Sequence, residues 1–217
     1  MPRLPMRYFL FVSLFLVSCG KPYKDLVLQQ GNITTRTFQP EFTTELFRCT
    51  VDGKFLFKKF HLSGLLYFKN FSDTATRVVF QNEMGLTYFD FGWDKQAVFQ
   101  VNYIMEQMDK PALINTLKKD FELLMFKNIE QSSRAYFKNN SGEAIFRFKL
   151  PKGFAYYILD GNNALKGIEN ADEKRKVVCM DFAPPNQSNQ FAEQITIKHL
   201  RANFSISLKK LQQDVTE

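Results

Sequence analysis

Phe60-His61-Leu62-Ser63-Gly64-Leu65-Leu66-Tyr67-Phe68-Lys69 is the stretch that decides the fold. Phe60, Leu62, Gly64, Leu66 and Phe68 alternate with His61, Ser63, Leu65, Tyr67 and Lys69. Successive side chains of an extended backbone leave on opposite faces, so this alternation predicts a long strand whose second face is also partly apolar. Working outward, Thr74 to Gln81, Thr87 to Trp93 and Ala97 to Ile104 repeat the pattern, with turn-like breaks at Asn70 to Asp73, Asn82 to Gly85 and Asp94-Lys95. Short connections between alternating runs predict an antiparallel meander.

The period then changes. Asp109-Lys110-Pro111 opens a helix, with proline in its first turn, and Leu113, Ile114, Leu117, Phe121, Leu124 and Met125 recur three or four apart up to Lys127-Asn128. One greasy face of that helix must lie on something. After a polar interval containing Asn139 to Gly142, strands resume over Ala144 to Leu150, Phe154 to Leu159, Ala164 to Glu169, Arg175 to Phe182, Phe191 to His199 and Asn203 to Leu211. Ala183 to Gln190 reads as a loop between hairpins. The expectation is a mainly β domain over residues 41–217, with about ten or eleven strands around one central helix and no internal repeat.

The N-terminus carries an address. Arg3 and Arg7 precede an apolar run from Tyr8 to Val17, too short to span a bilayer, and Leu16-Val17-Ser18-Cys19 follows. That tetrapeptide resembles the lipobox of bacterial lipoproteins, which implies a signal peptide over residues 1–18 and acyl chains on Cys19; the alternative is an ordinary secretory signal. Several chains on one cysteine give durable anchoring, at about 0.8 kcal/mol per buried CH₂. Gly20, with no acidic cluster after it, points by the lipoprotein sorting rules to the outer membrane and its periplasmic face. Residues 19–40 are expected to form a polar tether, with one short helix near Tyr23 to Gln29.

Removing residues 1–18 lowers the net charge from +7 to about +5, because two arginines leave with them. The remaining lysines are scattered, so the surplus suits solvation or anionic lipid, and no nucleic-acid partner is expected. Twenty-four phenylalanines and eight tyrosines strengthen the strand reading. Cys49 and Cys179 could pair in an oxidising periplasm or stay as two separate thiols.

An enzyme would need a constellation that the sequence does not assemble. His61 and His199 each sit on an alternating strand, as sheet-surface residues do, with no second ligand at metal spacing. There is no glycine-rich phosphate loop and no nucleophile elbow, so no catalysis and no cofactor are expected. Glu83, Asp90 and Asp94 are expected at hairpin ends, in solvent.

Arg77-Val78-Val79-Phe80-Gln81-Asn82-Glu83-Met84-Gly85, followed by the alternating Leu86 to Phe91, resembles the third and fourth strands of LolB. LolB is the outer-membrane receptor that takes lipoproteins from the soluble carrier LolA. The lipid anchor, the mature length, a helix between two blocks of strands, and a closing hairpin of Ile195 to Ile197 with Phe204 to Leu208 agree with that family. Two features depart from it: Glu83 stands where the family usually has proline, and the aromatic content exceeds that of a typical member; by sequence flavour the chain resembles lipoproteins of Bacteroidetes-type bacteria.

The resemblance implies a strongly curved antiparallel half-barrel whose concave face a helix covers. It implies an acyl-chain cavity, for which Phe60, Leu62, Phe80, Phe89, Phe91, Phe99, Phe146, Phe148 and Tyr157 are the candidates; otherwise these side chains simply fill a core. It also implies a membrane-insertion loop at Met84, Gly85 and Leu86, with Met84 either exposed or folded back on the sheet. The expected partners are membrane lipid through Cys19, a LolA-like carrier and lipoprotein acyl chains, met by a monomer. The alternative function is a structural or adaptor lipoprotein of an envelope complex.

Overall fold

The computed structural model describes residue 23 and residues 26–30, 38–55, 58–71, 75–172, 175–186 and 190–211. Cys19, the signal segment and most of the expected tether lie outside the described residues. In chain order the elements are β1 (Val27–Gln29), β2 (Thr44–Phe55), β3 (Lys58–Asn70), β4 (Ala75–Gln81), β5 (Thr87–Asp94), β6 (Phe99–Ile104), α1 (Pro111–Leu124), β7 (Ala135–Lys138), β8 (Ala144–Lys149), β9 (Phe154–Leu159), β10 (Leu165–Ala171), β11 (Lys176–Asn186), β12 (Gln194–His199) and β13 (Phe204–Lys210). Among the described residues no helix is long and apolar enough to cross a membrane.

All thirteen strands form one antiparallel sheet in the order β1-β7-β8-β9-β10-β11-β12-β13-β2-β3-β4-β5-β6. Two meanders, β2–β6 and β7–β13, are stitched together where β13 pairs with β2, Phe204 facing Gly53 and Leu208 facing Cys49. The sheet is open, with β1 and β6 as its edges. So many twisted strands cannot lie flat, and bulges between Phe80 and Gln81 and between Asp90 and Phe91 add local bending. The result is the expected curled half-barrel.

Its topology explains the helix. β6 ends at one edge and β7 begins beside the other, so the connecting chain must cross the whole sheet. Crossing on the concave side lets α1 bury Leu117, Phe121, Leu123 and Leu124. Both halves of the sheet hold it: the Phe121 ring centroid lies 5.8 Å from that of Phe68 on β3, and the Tyr157 hydroxyl on β9 donates to the Leu123 carbonyl at 2.8 Å. Phe126 and Asn128, with φ of 53° and 54°, then turn the chain out of the helix.

Four sequence expectations are corrected. Where one short helix is expected near Tyr23 to Gln29, the described residues Val27–Gln29 form β1, an edge strand against β7 with Leu28 facing Phe137. β7 itself lies in the interval that reads as polar. Together they raise the strand count above ten or eleven. From the rest of the presumed tether, Phe38 is buried in the core. Finally, β11 runs through Pro184 and Pro185 to Asn186, shortening the expected loop.

Candidate functional site

The interior divides into two unlike halves. Under β8 and β9 it is solid: the Phe38 ring lies 5.1 Å from both Phe146 and Tyr157, and Phe126 lies 5.3 Å from Phe148. Between α1 and the other half of the sheet lies a cavity of about 390 Å³. Its walls are Cys49 and Val51 of β2, Phe60, Leu62 and Leu66 of β3, Phe80 of β4, Tyr88 and Phe89 of β5, and Phe204 and Ile206 of β13. Leu113, Leu117 and Phe121 of α1 close it, with Met105, Gln107 and Met108 from the short turn before the helix.

Those residues reach one space for local reasons. On β2, β3 and β13 the lining residues are an even number apart, as with Cys49 and Val51 or Leu62 and Leu66; on β5 the register shift opposite Phe80 and Gln81 brings the adjacent Tyr88 and Phe89 to the same space, and on α1 the positions 113, 117 and 121 are four apart and share a face. The register sets Val51 against Leu62 and Phe80 against Phe89. Gly53 faces Phe60 across the hairpin, and a side chain there would meet the Phe60 ring at 2.3 Å, so glycine is what lets this ring settle over the backbone. Phe60 lines the cavity yet is 38% exposed, so the cavity opens beside it, near exposed Gln107.

The lining is almost wholly apolar. Its heteroatoms are the thiol of Cys49, the thioethers of Met105 and Met108, the Tyr88 hydroxyl and the Gln107 amide. Burial pushes the Cys49 thiol up to about 12, so it stays protonated and acts as one more small apolar group. Such a chamber can desolvate hydrocarbon but offers no charge to a polar ligand.

Of the nine predicted cavity residues, Phe60, Leu62, Phe80 and Phe89 line it. Phe91, Phe146, Phe148 and Tyr157 are fully buried in the packed core, Phe91 stacked on Phe89 at 4.5 Å. Phe99, on the edge strand β6, is half-buried against Trp93 at 5.2 Å. Met105 and Met108 carried no readable sequence signal. Cys49, Val51, Phe204 and Ile206 could have been found from the β2–β13 pairing, which sequence does not reveal.

The turn between β4 and β5 presents Met84, Gly85 and Leu86 outward. Met84 is 90% exposed, so it does not fold back on the sheet. Asn82 builds the turn: its Oδ1 accepts from the backbone N–H of Met84 at 3.0 Å and of Leu86 at 2.8 Å, while Gly85 takes φ of +84°.

Two polar expectations change. Asp90 is buried and not at a solvated hairpin end: it pairs with Arg77, whose Nε donates at 3.0 Å, and accepts from Asn102 Nδ2 at 3.1 Å. His199 is not on the surface either. Its Nε2 lies 2.9 Å from Asp120 Oδ2, both side chains almost wholly buried between β12 and α1, and burial holds the Asp120 carboxyl above its ordinary value. Cys49 and Cys179 are free thiols; two strands stand between β2 and β11, and Cys49 is buried inward while Val178 and Met180 take the inward places beside Cys179. His61 is exposed as expected, beside Asp52. Among the described residues no three His, Cys, Asp or Glu side chains converge as a metal site.

No protein-family model matches the chain, and no curated protein matches it. Among solved structures it is similar to a LolA superfamily protein from Nitrosomonas europaea, with a TM-score of 0.50 at 5% identity over 82% of this chain and 88% of that one. A domain named for outer membrane lipoprotein sorting, from Vibrio parahaemolyticus, gives a TM-score of 0.47 at 11% identity over 84% and 91%. A DUF1329 family protein from Desulfovibrio piger gives 0.41 at 11% identity over 81% and 87%. An open, curled antiparallel sheet wrapped round one helix, superposable along most of its length on the Nitrosomonas protein, makes this a LolA-like fold.

Proposed function

We propose that this chain is a periplasm-facing outer-membrane lipoprotein, held by acylated Cys19, that shelters acyl chains between α1 and β2–β5. The cavity of about 390 Å³ carries the reading. It falls within the range of about 300–1,000 Å³ typical of small-molecule sites, and its lining suits hydrocarbon. Every ten methylenes moved out of water contribute about 8 kcal/mol, enough to hold a lipid tail but short of irreversible capture. The exposed Met84 tip supports delivery: a carrier of the LolA kind hands over an acylated protein, the cavity holds its tail, and Met84 and Leu86 enter the bilayer that receives it. The protein works as a binding and transfer device, without catalysis or cofactor, as a monomer.

Native mass spectrometry of the full chain purified from membranes tests this. Adducts with the masses of fatty acyl chains or lipoprotein N-termini are expected, and delipidated protein should take up added palmitate at one per chain. Protein that stays empty under both conditions would leave the adaptor function as the better account.

A further inference from the structure

A second hollow, of about 380 Å³, lies on the back of α1. The helix positions that face the acyl cavity are 113, 117 and 121, whereas Lys118, Lys119 and Glu122 project to the other side, where the β8–β9 hairpin and the chain after the helix complete the walls. Four lysines line it, Lys118, Lys119, Lys127 and Lys152, against one carboxylate, Glu122, and the Lys118 ammonium also lies over the Phe99 ring, 5.2 Å from its centroid. That carboxylate is already engaged, since its Oε1 accepts from Trp93 Nε1 at 3.1 Å and from Asn128 Nδ2 at 2.6 Å, with Lys118 Nζ 3.9 Å away.

The other three lysines have no acid to answer them within the hollow. Lys119 Nζ donates to a neutral acceptor, Asn170 Oδ1, at 2.8 Å. Asp120, its sequence neighbour, turns inward to His199. Neither Lys127 nor Lys152 makes an ion pair or side-chain hydrogen bond among the described residues. Lys119 and Lys127 are half-buried, and burial holds both ammoniums below their ordinary value; at Lys119 the neighbouring Asp120 carboxylate opposes that lowering and Lys152 adds to it by like-charge repulsion. Proteins seldom gather half-buried like charges without a counter-charge.

We propose that the lysine hollow behind α1 binds a phosphate-bearing ligand, either soluble phosphate or the phosphate of a lipid headgroup. The chemistry favours phosphate over carboxylate. The lining cations are all lysines, movable point charges that can close on a tetrahedral group from several sides. A tetrahedral group bearing a charge near −2 can accept from several ammoniums at once. The space is larger than a lone phosphate needs, so a substituent on the ester is accommodated. The site is separate from the acyl cavity and does not depend on what that cavity holds.

The test uses the full chain in detergent and two double variants: Lys127→Gln with Lys152→Gln, and, as a control of equal charge, Lys138→Gln with Lys209→Gln. Inorganic phosphate is titrated by calorimetry at low ionic strength. In parallel, co-sedimentation is measured with phosphatidylcholine vesicles with and without phosphatidylglycerol. Phosphate binding that weakens at least tenfold in the hollow variant alone identifies a soluble ligand. Phosphatidylglycerol-dependent sedimentation lost in the hollow variant alone identifies a headgroup. Absence of both, or equal loss in the two double variants, overturns the proposal. Thermal melts exclude misfolding as the cause, since removing mutually repelling lysines should keep or raise the melting temperature.

Discussion

Replacing Leu62 by tryptophan should close the apolar cavity between α1 and β2–β5 while leaving the fold intact. Leu62 sits on β3 opposite Val51, half-buried, with its side chain in the cavity wall. Forcing a larger side chain into a filled core costs about 1–3 kcal/mol, but here the indole enters empty space of about 390 Å³, so the expected change in stability is below about 1 kcal/mol. Exclusion of only four methylenes of a bound chain, at about 0.8 kcal/mol each, removes about 3 kcal/mol of binding. That corresponds to a loss of affinity of about 200-fold. Displacement of a fluorescent fatty acid from delipidated protein measures the affinity, and urea unfolding of the same sample measures the stability. A folded variant that binds the fatty acid as tightly as the parent protein would show that the chain lies elsewhere.

Met84→Glu removes the apolar tip at a residue that is 90% exposed, so stability should stay within about 0.5 kcal/mol while vesicle insertion and lipoprotein delivery are lost; unchanged delivery would refute the role of the tip. Phe68→Ala, at a fully buried ring that touches Phe47, Phe121 and Phe191, should cost about 3–5 kcal/mol, read as a lower urea midpoint. Burial raises the Asp120 carboxyl, so the folded chain retains a proton that the unfolded chain loses above 3.8. This group's contribution therefore declines as pH rises from that value, and Asp120→Asn should flatten the decline; identical pH profiles for the two proteins would contradict it.

Legibility followed the length and regularity of each element. β3, with ten alternating residues from Phe60 to Lys69, and α1, with its stripe of residues three or four apart, announced themselves because a single face recurs often enough to be counted. β1 and β7 did not. They are three and four residues long and exist through pairing, β1 with β7 and β7 with both β1 and β8, a property that neither segment carries alone. Asp90 and His199 misled for a related reason: alternation assigns a face, yet only the bend of the sheet and the position of α1 decide whether that face is wet. The lysine hollow was likewise invisible, since Lys118, Lys119, Lys127 and Lys152 come from a helix, its exit and a distant hairpin.

The amino-acid order by itself determined a mainly β chain with one amphipathic helix between two meanders and an apolar turn at Met84 to Leu86. Those properties are local, set by side-chain period, turn chemistry and composition. Which phenylalanines line a cavity and which fill a core was settled only by the tertiary structure. Phe80 and Phe146 are equally apolar and equally inward, but α1 stands off from the sheet above Phe80, whereas Phe38 packs down upon Phe146. A void is a distance between two surfaces, and that distance depends on how far thirteen strands curl and where the crossing chain lies within the curl.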